Sequence, residues 1–170
     1  MRTIYLLRHA KAESASGTDH DIDRKLAPAG REACGVIGSY MKEKKYKPDF
    51  VLCSAASRTH ETFELTMEAA GMSPPYQMDK KLYTTTVEQI IGRLHLLSDD
   101  IESVMVVGHN PVMHQLALTL ASPAESDMRS MLEMKYPTGA LTVLHFTVDF
   151  WSDISHWKGE LADYMMPSAF

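Results

Sequence analysis

Short unbroken apolar runs alternate along the chain with segments whose apolar residues recur every three or four positions. Thr3–Leu7 (TIYLL), Phe50–Cys53 (FVLC) and Ser103–Val107 (SVMVV) have the continuous apolar character of strands covered on both faces. A polar, irregular stretch runs from the first of these to about Arg24. Pro28 then stands where a first helical turn tolerates proline, and Ala29 to about Lys45 reads as a helix. A second helix covers about Ser57 to Ala70, capped by Gly71 and followed by a Ser-Pro-Pro break. Val87–Leu97 carries Val87, Ile90, Ile91, Leu94 and Leu97 at helical spacing, and Pro111 opens a further helix to about Leu120. Asp127–Lys135 predicts a short helix with Met128, Met131 and Leu132 on one side. Ala140–Val148 and about Ser155–Met165 read as two more strands, joined through a turn as an antiparallel pair. Because helices separate the first strands, those strands are expected to be parallel and the class is α/β.

At 170 residues the chain is long enough for one domain, expected to span residues 1–170. A fold of this size buries roughly 70% of its unfolded surface, so it needs no staples. The net charge of −5 argues against a protein that coats nucleic acid or anionic lipid, though it leaves room for a local cationic pocket. The longest apolar runs, Ile4–Leu7 and Val104–Val107, are far short of a membrane span, and the first residues lack the apolar length of a signal peptide. Cys34 and Cys53 form no CxxC pattern and read as small buried hydrophobes. The KEKKYK segment reads as a solvated helix end, not a nucleic-acid patch, and the methionine stripe as core filling, not a cofactor box. The expected setting is the cytoplasm.

Candidate chemistry gathers where the predicted parallel strands end. TIYLL runs into Arg8-His9-Ala10, FVLC into Ser54-Ala55-Ala56-Ser57-Arg58-Thr59, and SVMVV into Gly108-His109-Asn110-Pro111. Ligands of open α/β sheets bind outside the carboxyl ends of the strands, so two arginines and two histidines are expected in one pocket. A phosphoryl group suits that set. Guanidinium forks pair bidentately with phosphate oxygens, a neutral imidazole can attack phosphorus, and a protonated one can donate to the equatorial oxygens. The helices after Arg58 and Pro111 can add backbone donors.

The segments LLRHAKAE, SAASRTHET and VGHNP resemble the three signatures of the histidine phosphatase superfamily, and most closely its SixA-type phosphohistidine phosphatase branch. The motifs span Leu6 to Pro111, and Asp21–Leu26 through Gly30 is similar to that branch's linker into its first helix. The resemblance implies a phosphoglycerate-mutase-like, three-layer αβα domain with a mostly parallel central sheet and no cofactor. It implies His9 as the phosphorylated nucleophile, Arg8 and Arg58 as phosphate clamps and His109 as the second pocket histidine. Asp21 matches the linker's acidic position, either as proton donor or orienting an arginine, and Asn110 is a further substrate-binding candidate. Ala10 stands where the commonest motif has glycine.

No carboxylate matches the glutamate that serves larger members as general acid. Glu88, the only one between Lys80 and Leu97, lies in a different context. An alkoxide needs a proton from a positioned acid, whereas imidazole departs readily from phosphohistidine, so the expected substrate is a phosphorylated protein bearing phosphohistidine. Rescue by Asp21 or Asp19 would favour small or Ser/Thr phosphate esters instead, and a dead phosphate-binding domain of the same fold is the other alternative. The stretch from Thr59 to Gly108 is only 50 residues long, which leaves little for a lid and favours a phosphatase over a mutase. His20, His60, His95, His114, His145 and His156 read as structural or surface residues. A metal held by His9 and His109 is disfavoured, since the neighbouring arginines would repel a dication.

Overall fold

A computed structural model describes residues 1–15, 17 and 20–167; Asp19 lies outside the described residues. The strands are β1 (Arg2–Arg8), β2 (Phe50–Ser54), β3 (Tyr76–Asp79), β4 (Ser103–Gly108), β5 (Leu141–Phe146) and β6 (Glu160–Met165). They form one sheet in the order β3-β2-β4-β1-β5-β6. The first four strands are mutually parallel; β5 runs antiparallel to β1, and β6 antiparallel to β5. The helices are α1 (Pro28–Lys44), α2 (Ser57–Ala70), α3 (Val87–His95), α4 (Val112–Leu120) and α5 (Asp127–Met134).

Alternation along the strands builds two cores. Tyr5, Leu7, Val51, Val107 and Val143 face α1 and α2, meeting Ile37, Met41, Phe63 and Met67. Ile4, Leu6, Leu52, Val106 and Leu144 face the opposite layer, with Ile90, Leu94, Met113, Leu116 and Leu132 from α3, α4 and α5. Both faces of the central strands are therefore apolar, which is why their sequences run without polar breaks. The class and the three-layer αβα arrangement agree with the expectation from sequence. Among the described residues, no helix is long and apolar enough to cross a membrane.

Local signals act as read at the start of α1 and the end of α2, and α3 adds one that was not read. Pro28 occupies the first turn of α1, and Gly71 caps α2 in the left-handed region at φ 69°. Thr86 opens α3 with a capping box: its hydroxyl accepts from the Gln89 N–H at 3.2 Å, while Gln89 Oε1 accepts from the Thr86 N–H at 3.2 Å.

The larger departures from the sequence reading lie in the last strand, α3 and the segment after the prolines. The last strand begins at Glu160, not Ser155, because Trp157 turns into the left-handed region at φ 62° and donates its N–H to Thr119 at 2.8 Å. Helix α3 stops at His95, and Leu96 and Leu97 close a tighter turn onto Arg93 and Leu94. The segment after the prolines forms a further strand, β3, paired with β2 in parallel register.

Candidate active site

The parallel ladder brings the expected residues to one edge. Arg8 ends β1 beside Gly108, the last residue of β4, and the His9 N–H donates to the Gly108 carbonyl at 3.0 Å. Ser54 ends β2, and Arg58 lies one residue inside α2, within its first turn, where the Ser57–Ala70 reading put it. The His9 and His109 rings lie 5.5 Å apart. Arg58, His9 and His109 are 6%, 7% and 8% exposed, so charge here is felt through little water.

Each imidazole is held by one nitrogen. His9 Nδ1 lies 2.7 Å from the Ala10 carbonyl, which can only accept, so Nδ1 carries the proton and Nε2 keeps its lone pair. Ser54 Oγ lies 2.7 Å from His109 Nε2. Burial, helped by the Arg8 and Arg58 charges, pushes His9 from its ordinary 6.5 down to about 4. Burial and Arg58 push His109 down to about 3. Near neutral pH this holds the ring uncharged, because two guanidiniums stand in the same desolvated space, so what it can offer is the donor of a neutral imidazole.

Arg8 donates to the Tyr136 carbonyl at 3.0 Å, and its own pKa is lowered by burial and by Arg58. Among the described residues, the buried side-chain polar atoms without a protein partner are Arg8 Nε, Arg58 Nε, His109 Nδ1 and Thr66 Oγ1. Three of these four belong to this cluster, where an oxyanion would satisfy them.

Asp21 joins the cluster through Arg58 and not Arg8. Arg58 donates to the Asp21 carbonyl at 2.8 Å and to its carboxylate at 3.1 Å. Arg24 donates to the other carboxylate oxygen at 2.9 Å, and the Tyr83 hydroxyl donates to the first. The Tyr83 bond, reinforced by Arg58, holds this carboxyl down at about 2. Asn110 has both amide ends engaged with backbone, donating to the Tyr136 carbonyl at 2.8 Å and accepting from the His114 N–H at 3.3 Å. Glu88 lies elsewhere, paired with His156. Burial raises the Cys53 thiol, and Cys53 and Cys34 are both free and buried.

Sequence reasoning missed three contributors. Tyr83 sets its ring edge-on to His109 at 5.5 Å, with the Arg58 guanidinium 5.8 Å above its ring. Tyr136 supplies the carbonyl that Arg8 and Asn110 share, and its hydroxyl donates to the Leu6 carbonyl at 2.7 Å. Gly139, left-handed at φ 77°, donates its N–H to the His9 carbonyl at 2.9 Å. A lone tyrosine carries no pattern; the Thr138-Gly139 turn was the one visible signal.

With the four motif residues gathered at the carboxyl edge of this sheet, the comparison with known families agrees: residues 4–95 match the histidine phosphatase superfamily (branch 1), and the chain belongs to it. It is a phosphatase of the SixA type. The SixA protein of Nakamurella multipartitia, itself assigned only provisionally as a phosphohistidine phosphatase, is 30% identical with a TM-score of 0.85, over 98% of this chain and 96% of that one. The protein histidine phosphatase SixA in complex with tungstate shares the fold, with a TM-score of 0.78 at 20% identity over 98% of each chain. An uncharacterized protein of Mycobacterium tuberculosis is 30% identical over 164 residues, which are 95% of this chain and 99% of its own.

Proposed function

We propose that this protein is a cytoplasmic, metal-independent protein phosphohistidine phosphatase working through a phosphorylated His9. The observation that carries the reading is the His9 ring. Its Nδ1–H is fixed on the Ala10 carbonyl, and its Nε2 lone pair is kept unprotonated beside two guanidiniums. In the first step His9 Nε2 attacks phosphorus, and the bond from phosphorus to the substrate nitrogen breaks with its electron pair going to that nitrogen, the substrate ring leaving as a neutral imidazole with the proton it already carries on its other nitrogen. Arg8 and Arg58 spread the charge on the phosphoryl oxygens, and His109 donates to one of them. In the second step water attacks phosphorus, phosphate leaves, and the electron pair returns to His9 Nε2. The Nδ1 proton stays on the ring throughout, so His9 departs as a neutral imidazole.

Asp21 directs the choice of substrate. A carboxyl held at about 2 and bonded to Tyr83, Arg58 and Arg24 is no proton donor near neutral pH. Asp21 is therefore the residue that positions Arg58, and Asn110 acts through Tyr136. Without a general acid, a leaving group that needs none is favoured, and transfer between two imidazoles matches nucleophile and leaving group in basicity. The tungstate-bound SixA supports the same substrate class by its name.

The test compares a phosphohistidine-bearing protein with phosphoserine and sugar phosphates, each with and without a chelator. Hydrolysis of phosphohistidine should be at least about a hundredfold faster, the size of the missing acid's contribution, and indifferent to chelator. Equal or faster ester hydrolysis, or loss of activity in chelator, would overturn it.

A further inference from the structure

The His109 ring has one nitrogen spoken for and one not, and the partner of the first decides what the second can do. Ser54 is 0% exposed at the carboxyl end of β2, with Oγ 2.7 Å from His109 Nε2. The same oxygen also accepts, at 3.4 Å, from the Ala56 N–H. Among the described residues, the Ser54 hydroxyl hydrogen has one acceptor within reach, the Nε2 lone pair. If Nε2 carried a proton instead, the buried hydroxyl would hold a hydrogen with nowhere to go. We propose that Ser54 is a positioning residue that locks His109 in the Nδ1–H tautomer, so that the neutral ring donates to the phosphoryl group.

Two observations make the lock consequential. His109 Nδ1 is buried without a protein partner in the cluster that holds Arg8 Nε and Arg58 Nε in the same condition. With Nδ1–H the ring offers those oxygens a donor; with the proton on Nε2 it would present a lone pair to an anion. The guanidiniums already supply positive charge, so an uncharged donor is sufficient. Ser54 thus acts through His109 without touching substrate. The inference rests on phosphoryl transfer at this site and not on which group leaves.

The test reads the tautomer directly, from the ring nitrogen resonances of 15N-histidine-labelled protein at neutral pH without substrate. His109→Asn assigns the signals. His109 should show a protonated Nδ1 and an unprotonated Nε2; a protonated Nε2 in the wild-type protein would overturn the proposal whether or not any variant folds. In Ser54→Ala the proton should move toward Nε2. The kcat on an aryl phosphate, whose leaving group needs no acid, should fall roughly ten- to a hundredfold with KM within about twofold, less than the loss of a whole oxyanion donor. Ser54→Thr, which keeps the hydroxyl, should restore the Nδ1–H form and most of kcat. Undiminished kcat in a Ser54→Ala protein whose tautomer has switched would also contradict it. Using an aryl phosphate separates this outcome from failure of the phosphohistidine assignment.

Discussion

At the level of single side chains, His9 and His109 are kept uncharged by the same surroundings that welcome an anion. That has a consequence for stability. Both have folded values, about 4 and about 3, below the ordinary 6.5. As pH falls through 6.5 the unfolded chain therefore takes up protons that the folded one refuses, and stability drops. Asp21 has the opposite origin but pulls the same way lower down: its depressed value stabilises the fold above 3.8 and that contribution is lost toward about 2. The melting temperature should be level above about pH 7 and decline between pH 6.5 and 4, and His109→Asn should decline less steeply. Thermal melts across that range check this; identical slopes would mean that His109 titrates normally in the folded protein. Activity on the free enzyme should persist down to near pH 4, where His9 gains its proton.

Among elements, α1 packs closely against α2, the helix whose first turn carries Arg58. A Cβ at Gly38 would meet the Thr66 carbonyl at 2.4 Å and the Ala69 Cβ at 2.5 Å, so only glycine lets the helices approach. Gly38→Val should cost about 2–3 kcal/mol through overpacking, read as a lower denaturant midpoint with unchanged slope. An unchanged midpoint would mean that the helices can separate freely. The same elements show what was legible beforehand. Runs such as SVMVV, buried on both faces, announced β4, and Gly71 announced the end of α2. The edge strand β3, YQMD, has one buried residue, Asp79, and no alternation to betray it. The overlong last strand had a sequence indistinguishable from its neighbour; a left-handed tryptophan ended it, and no local rule foretells that.

Across the whole molecule, the topology converts scattered motifs into one site. Parallel strands β1, β2 and β4 must end on the same edge, so the convergence of Arg8, His9, Arg58 and His109 could be read from strand order before any coordinates. The roles of Asp21 and Tyr83 could not, since 62 residues separate them and only the folded chain joins them. The net charge of −5 hid this cationic edge, because composition averages over the surface that folding divides. The most direct measurement is to mix the protein with a phosphohistidine-bearing substrate, quench within the first turnovers in alkali, and map the phosphoryl group by mass spectrometry. An acid-labile, alkali-stable adduct on His9 Nε2, absent from His9→Ala along with turnover, is expected. A His9→Ala protein that turns over at the wild-type rate, or an adduct on another residue, would contradict the account.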